Sequence, residues 1–177
     1  MQPFYITHSP SETKKVAKLL AKKILKKGPE KQATIIALVG SLGGGKTTFL
    51  QGFAKGLGIG EKILSPSFII LRKFQIPRIK FPVISKFQTA GSKQQFKNFY
   101  HLDCYRIKKA KEILDLGFKE IISDPQNIVT IEWADKIKKI LPKDSLIIKF
   151  KFLSKNKREI KIYITPYFGD CWQKKIF

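Results

Sequence analysis

The amino-acid sequence predicts an α/β fold: a sheet of mostly parallel strands flanked by helices, with an antiparallel hairpin at its C-terminal edge. Apolar runs of strand length alternate with segments of helical periodicity, and a glycine-rich turn joins the first such run to a helix. Two further strand-like runs follow one another near the end of the chain. We expect residues 1–177 to form a single domain, because this length supplies one sizeable core and too little for two.

The first helix is predicted from a capping box. Ser9 is the expected N-cap, Pro10 takes the first helical position, and Glu12 follows three residues after the cap. Apolar residues then recur at helical spacing until Gly28 ends the pattern. Residues 33–39 form a short continuous apolar run, which is typical of a strand buried on both faces.

The remaining elements are predicted from shorter patterns. We expect a helix over residues 48–57, strands over 68–74, 99–103 and 127–132, partly helical structure over 113–122, a short helix over 133–140, and hairpin strands over 145–153 and 158–165. Residues 166–177 show no clear pattern.

The segment at about residues 73–98 is basic and aromatic, and the sequence contains no Asp or Glu between Lys62 and Leu102. We interpret it as an insertion or a lengthened hairpin. Cations alternating with aromatic rings suit contact with RNA or with an acidic partner surface. A surface hairpin without a binding role is the alternative.

The composition restricts the functions that the chain can have. A formal net charge of +22 favours polyanionic partners, although lysines scattered along the chain also fit a merely solvated surface. The cysteines, Cys104 and Cys171, and two histidines provide neither a disulfide framework nor a zinc spacing. The longest apolar stretches are too short for a membrane span, and the N-terminus lacks the features of a secretion signal, so we expect a cytoplasmic protein.

Residues 40–47 carry the phosphate-binding pattern G-x-x-x-x-G-K-[ST] between a predicted strand and a predicted helix. Gly43, Gly44 and Gly45 allow backbone N–H groups to approach phosphate oxygens, and the helix directs its positive end at the same anion. Lys46 is expected to neutralise the β and γ phosphates, and the Thr47 hydroxyl to hold Mg²⁺. The pattern and its context predict a P-loop NTPase-like fold that binds ATP or ADP.

Two predicted strands end on carboxylates, Asp103 and Glu132. In open α/β sheets the ligand lies beyond the C-terminal ends of the strands, so both acids are candidates for holding Mg²⁺ or orienting water. Which acid does which stays open. A helix cap or an ion pair with Arg106 is the structural alternative for Asp103, and a buried ion pair is the alternative for Glu132. For Trp133 a core position and a ligand contact are weighted equally, whereas His101 is interpreted as a structural histidine.

The motifs together resemble those of the TsaE (YjeE-type) ATPases, which support threonylcarbamoyladenosine formation in tRNA. The resemblance covers most of the chain, and it rests on residues 12–13, 42–48, 65–68, 101–106, 112, 116–117, 131–134, 141–142 and Arg158. Ser41, Gly44 and Ser67 stand where an acidic residue, an alanine and a threonine are usual. Residues 73–98 are longer than the family norm.

The resemblance implies a protein that binds ATP and Mg²⁺, hydrolyses ATP slowly by itself, and works with TsaD and TsaB. It implies that Thr47 and Glu132 coordinate Mg²⁺ and that Asp103 is needed for hydrolysis, with Lys46 completing the catalytic set. Residues 65–68 would form a loop near the γ-phosphate, and residues 9–13 would approach the adenosine. The residues implied at the nucleotide are Gly43, Gly44, Gly45, Lys46, Thr47, Thr48 and Arg158.

Two other functions are compatible with the sequence. A small-molecule kinase uses the same loop, but usually adds an arginine-rich lid, for which Arg72, Arg78, Arg106 and Arg158 are the only arginines available. A basic RNA-binding module with a nucleotide site would explain the charge, and tRNA contact could be indirect or through the basic surface.

Overall fold

The computed structural model describes residues 3–63, 70–78 and 95–163. The predicted loop at 65–68, most of the basic aromatic segment, Cys171 and the C-terminal tail therefore lie outside the described residues. The described strands are β1 (Phe4–Thr7), β2 (Thr34–Gly40), β3 (Leu71–Gln75), β4 (Asn98–Asp103), β5 (Asn127–Glu132), β6 (Leu146–Phe152) and β7 (Arg158–Tyr163). The helices are α1 (Pro10–Lys27), α2 (Lys46–Gly56), α3 (Ala110–Leu114), α4 (Phe118–Ser123) and a 3₁₀ helix (Ala134–Ile140).

The strands form one sheet in the order β1-β7-β6-β2-β5-β4-β3. Strand β2 pairs in parallel with β5 and β6, and β4 pairs in parallel with β5. Strands β6 and β7 form an antiparallel hairpin, and β3 pairs antiparallel with β4. The predicted α/β class, with a parallel centre and an antiparallel hairpin on the C-terminal side, is confirmed.

Several bounds differ from the prediction. Strand β1 was not predicted, and it extends the hairpin side of the sheet by pairing antiparallel with β7. Helix α2 begins at Lys46, two residues before the predicted start, because the glycine loop leads directly into its first turn. The predicted helix at 133–140 is a 3₁₀ helix that begins at Ala134.

Helix α1 begins and ends as its caps predict. The Ser9 side chain accepts a hydrogen bond from the Glu12 backbone N–H at 3.1 Å, and the Glu12 carboxylate accepts one from His8 N–H at 2.7 Å. Gly28 has a φ of 82° and donates its N–H to the Ile24 carbonyl. These caps satisfy backbone groups that have no partner within the helix.

Apolar layers cover both faces of the sheet. Helices α1 and α2 pack together on one face, where Phe49, Phe53 and Phe99 are fully buried in the larger cluster. On the other face, Phe118 of α4 and Ile137 of the 3₁₀ helix join a second cluster. The parallel strands are thus packed on both faces, and their C-terminal ends lie at one edge of these layers. Among the described residues, no helix combines the length and the apolar character needed to cross a bilayer.

Candidate functional site

The loop between β2 and α2 is shaped by glycines in left-handed conformations. Gly43 has a φ of 71° and Gly45 a φ of 100°, values that a residue with a Cβ adopts only with strain. Gly45 is the N-cap of α2 and provides no side-chain cap for the first-turn N–H groups. Those N–H groups and the positive end of the helix dipole therefore face the loop and can bind an anion.

Lys46 lies inside this loop, with only 5% of its surface exposed. Its Nζ donates hydrogen bonds to the carbonyl oxygens of Gly40 at 2.8 Å and Ser41 at 3.0 Å. It also lies 3.8 Å from the centroid of the Trp133 ring. Burial lowers the pKa of the Lys46 ammonium, and the nearby carboxylates, Glu132 first, oppose that shift. The loop thus holds a positive charge at its centre.

Thr47 and Glu132 meet at the mouth of the loop. The Thr47 hydroxyl donates to Glu132 Oε2 at 3.1 Å, and His101 Nε2 lies 3.1 Å from Glu132 Oε1. His101 and Glu132 are 1% and 2% exposed, so this carboxylate is held between partners away from bulk water. Hydroxyl and carboxylate oxygens are the ligand types that Mg²⁺ prefers, so the residues present fit this ion.

Asp103 ends β4 directly opposite Glu132 at the end of β5. Its Oδ1 accepts a hydrogen bond from the Tyr105 backbone N–H at 2.9 Å. Burial raises the pKa of the Asp103 carboxyl, the Tyr105 hydrogen bond opposes this, and the charge on Glu132 raises it further. Unlike Glu132, Asp103 is not among the residues that line the cavity at the loop.

Trp133 has a φ of 56° and is the one non-glycine residue with positive φ in the described part of the chain. Its ring contacts both the Lys46 ammonium, 3.8 Å from the ring centroid, and the Tyr105 ring, whose centroid is 5.0 Å away. A tryptophan in this region is conformationally strained, and such strain concentrates at functional sites. The ring therefore touches the site lysine while it also packs against the second apolar cluster, and a nucleotide contact by Trp133 stays a prediction.

A cavity of about 220 Å³ opens over the loop. The residues that line it are Ser9, Pro10, Thr13, Leu42, Gly43, Gly44, Gly45, Lys46, Thr47, Thr48, Glu132, Trp133, Lys155, Asn156 and Arg158. Arg158 Nε donates to the Gly43 carbonyl at 2.9 Å, which ties the hairpin to the loop. The start of α1, the loop and the β6–β7 turn therefore enclose one site.

The structure thus brings together the sequence-predicted residues of the loop, Glu132, Arg158 and the 9–13 segment. It also adds residues that were not predicted. Lys155 and Asn156 line the cavity from the hairpin turn. Their position close to Arg158 in the sequence could have indicated that they are near the nucleotide. His101, interpreted as structural, contacts Glu132, and its place two residues before Asp103 on the same strand was a signal of that contact.

A parallel strand that runs through a glycine-rich loop into a helix, with a buried lysine at its centre, defines the P-loop class of nucleotide-binding proteins. The family model described as threonylcarbamoyl adenosine biosynthesis protein TsaE matches residues 7–160. The chain belongs to the TsaE family.

Individual relatives agree with this assignment. The tRNA threonylcarbamoyladenosine biosynthesis protein TsaE of Rickettsia prowazekii is 34% identical over 164 residues, which cover 92% of this chain and 96% of the relative. The Bacillus subtilis protein of the same name is 34% identical and covers 87% and 80%, respectively. The crystal structure of YdiB from Bacillus subtilis has a TM-score of 0.63 at 27% identity, covering 95% of this chain and 89% of YdiB.

Proposed function

We propose that this protein binds and hydrolyses ATP with Mg²⁺ in the cytoplasm, as an accessory protein required for threonylcarbamoyladenosine modification of tRNA. TsaD and TsaB are the partners that we propose. The observation that carries the proposal is the group formed by Lys46, Thr47 and the Glu132 carboxylate at the mouth of a glycine-rich loop. Membership of the TsaE family supports the role in tRNA modification.

The loop residues bind the polyphosphate in this proposal. Backbone N–H groups around Gly43 to Thr47 donate to phosphate oxygens, and the Lys46 ammonium exchanges its contacts with the carbonyls of Gly40 and Ser41 for phosphate oxygens. Thr47 and Glu132 hold Mg²⁺, whose chemistry is to neutralise charge on the β and γ phosphates. The cavity walls formed by Thr48, Arg158 and three residues at the start of α1, Ser9, Pro10 and Thr13, take the nucleoside.

Asp103 is proposed to orient the attacking water and accept its proton. Oδ1 already accepts the Tyr105 N–H, which leaves Oδ2 for the water. Burial and the neighbouring Glu132 charge raise the pKa of Asp103, so its carboxylate is more basic than one in free solution. Attack of the water oxygen on the γ-phosphorus breaks the bond to the β–γ bridging oxygen and yields ADP and phosphate.

Calorimetric titration with ATP or ADP in the presence of Mg²⁺ tests the nucleotide site. We expect Lys46→Ala to abolish measurable binding, whereas Lys55→Ala, an exposed lysine on the same helix, leaves binding unchanged. We expect Glu132→Ala to bind nucleotide and to lose hydrolysis. Failure of the unaltered protein to bind either nucleotide, or unchanged turnover in both site variants, would contradict the proposal.

The role in tRNA modification has a separate test. Purified TsaD and TsaB, threonylcarbamoyl-adenylate and unmodified tRNA are combined with the unaltered protein or with Lys46→Ala, and the modified nucleoside is counted over many cycles by mass spectrometry. We expect the unaltered protein to sustain repeated cycles and the Lys46 variant to fail. Equal yields of the modified nucleoside with and without this protein would contradict the accessory role, but would not bear on nucleotide binding.

A further inference from the structure

One face of the β1-β7-β6 part of the sheet carries lysines and aromatic rings. Phe150 and Ile160 point into the apolar cluster under α1 and α2. Because side chains alternate along a strand, the residues next to them in sequence, Lys149, Lys151 and Lys161, lie on the opposite face. Arg158 shares the face of Ile160, so the nucleotide cavity and this lysine-bearing face are on different sides of β7.

The strand register arranges these residues in rows. Phe4 lies opposite Lys161, and Lys161 lies opposite Lys149. Lys161 Nζ is 5.5 Å from the Phe4 ring centroid, and Lys149 Nζ is 4.7 Å from the Tyr163 ring centroid. We name Phe4, Lys149, Lys151, Lys161 and Tyr163 the basic sheet face. Half of the Phe4 surface is exposed, at 50%.

The cross-strand pair of Lys149 and Lys161 is unfavourable for the isolated fold. Like charges directly opposite each other on neighbouring strands destabilise a sheet. Glu159 compensates part of this repulsion, since it pairs with Lys161 at 3.1 Å. Lys149 and Lys151 are exposed and add to the net charge of +22. A bound polyanion would relieve the repulsion that the sheet retains.

The neighbouring 3₁₀ helix extends the positive surface. Ile137 of that helix and Ile147 of β6 belong to the same apolar cluster, so the helix lies beside the basic sheet face. Its Lys138 and Lys139 are exposed. Exposed cations therefore extend from β6 to the 3₁₀ helix, as binding of a chain-like anion requires.

We propose that the basic sheet face binds an unpaired strand of RNA. The phosphates neutralise Lys149, Lys151 and Lys161, while a base stacks on the exposed ring of Phe4 and the half-buried Tyr163 ring borders the same row. An exposed phenylalanine ring among cations favours RNA over an acidic protein segment, because a carboxylate-rich segment satisfies the lysines and leaves the Phe4 ring without a stacking partner. This binding goes beyond the proposed ATPase role and does not require the nucleotide site.

Fluorescence anisotropy with a fluorescein-labelled, unstructured twelve-nucleotide RNA tests the proposal on the full chain. We expect Lys149→Glu to weaken binding about ten-fold or more, as loss of a charge-assisted contact predicts. Lys22→Glu is the matched control, because it reverses one exposed lysine on α1, on the other side of the sheet. We expect the control to change binding less than about three-fold, since it acts only through long-range charge.

Folding and stacking have their own controls. Lys149→Glu sets a carboxylate opposite Lys161, so its melting temperature should be unchanged or higher, and its Mg²⁺-ATP binding unchanged. Phe4→Ala removes a ring and should weaken RNA binding at least about five-fold. Phe152→Ala removes a phenylalanine of similar exposure, 48%, on the opposite sheet face and should leave RNA binding unchanged.

Three outcomes overturn the proposal. In the first, the unaltered protein does not bind the RNA. In the second, the Lys149 and Lys22 variants lose the same amount of RNA affinity, which would mean that the net charge of the protein alone attracts RNA. The third outcome is a labelled polyglutamate that binds in a Lys149-dependent manner and is not displaced by RNA, which assigns this face to an acidic protein. Loss of ATP binding in the Lys46 variant bears on the nucleotide site and leaves the RNA result unaffected.

Discussion

His101 and Glu132 show how one buried hydrogen bond organises the site. His101 Nε2 lies 3.1 Å from Glu132 Oε1, within hydrogen-bond distance of that carboxyl oxygen. The Thr47 hydroxyl donates to the other carboxylate oxygen. Because both His101 and Glu132 are almost fully buried, the loss of either partner leaves a buried polar group without a hydrogen-bond partner at that atom.

The first prediction concerns this pair. We expect His101→Leu to lower the free energy of unfolding by about 1–3 kcal/mol, because the buried Glu132 carboxylate loses a donor. Urea denaturation followed by circular dichroism measures the change. His101→Gln keeps an N–H donor and should recover part of the loss. Equal stabilities for the leucine variant and the unaltered protein would contradict the role of His101 in holding Glu132.

The second prediction uses the raised pKa of Asp103, which burial causes. A carboxyl whose folded-state pKa exceeds its unfolded value stabilises the fold below the unfolded pKa and loses that contribution as pH rises through the folded pKa. Asp103→Asn imitates the protonated form and keeps the acceptor for the Tyr105 N–H. We therefore expect the variant to be more stable than the unaltered protein at pH 7.

The check on Asp103→Asn is a stability profile against pH. The difference in free energy of unfolding should disappear below the ordinary aspartate pKa of about 4, where both proteins are neutral at this position. Hydrolysis should be lost in the variant while nucleotide binding persists. A variant that is less stable at pH 7 would show that the carboxylate is favoured by its surroundings in the folded state.

At the scale of elements, the contact between α1 and α2 depends on two glycines of α2. A Cβ at Gly52 would lie 2.4 Å from the Lys14 carbonyl oxygen, and a Cβ at Gly56 would lie 2.7 Å from the Ala21 Cβ. Glycine lowers the stability of a helix by roughly 1 kcal/mol relative to alanine. The advantage of glycine at these two positions therefore lies in helix packing and not in helix formation. The close approach packs α2, which begins with Lys46 and Thr47, directly against α1.

The third prediction follows from that packing. We expect Gly52→Ala to lower the free energy of unfolding by about 1–3 kcal/mol, because backbone atoms must move to admit the methyl group. Gly60→Ala is the control, since nothing lies within 4 Å of a Cβ there. Thermal and urea melts measure both variants. A stabilised Gly52 variant would mean that the helices separate at little cost and that helix propensity dominates.

Element prediction from sequence succeeded where the pattern was local. Strand β5 has the predicted bounds because six buried residues in a row have a clear pattern. Strand β1 was missed, since its four residues are mostly half-exposed and its partner β7 is far along the chain. The segment Ala134–Ile140 is preceded by Trp133 in a left-handed conformation and is kinked at Ile137, where φ is −116°, and side-chain periodicity reports neither feature.

At the scale of the whole molecule, charge is the dominant feature. Lys and Arg number 35 against 13 for Asp and Glu, giving a net charge of +22 on 177 residues. Such an excess keeps a protein soluble but destabilises its compact state through self-repulsion. Some of these ammonium groups lie over aromatic rings in cation–π contacts, as Lys46 does over Trp133 and Lys149 over Tyr163.

The fourth prediction concerns this repulsion. We expect the melting temperature to rise as KCl increases from about 20 mM to 0.5 M, because salt shortens the screening length from tens of ångströms to a few. The Lys22→Glu control should show a smaller rise, since it carries less charge. A melting temperature that falls with salt would mean that local ion pairs outweigh the general repulsion.

The sequence by itself determined the glycine-rich loop, the strand before it, the helix after it and the resemblance to the TsaE family. These depend on residues close together in the chain, whose backbone preferences act locally. Only the tertiary structure showed which carboxylate accepts the Thr47 hydrogen bond, which residue His101 contacts, and which side chain donates to the Gly43 carbonyl. The Thr47–Glu132, His101–Glu132 and Arg158–Gly43 contacts join residues 85, 31 and 115 positions apart. Only the parallel register of β2, β4 and β5 and the return of the hairpin bring such distant groups within hydrogen-bond distance, because no local preference encodes a separation of that length.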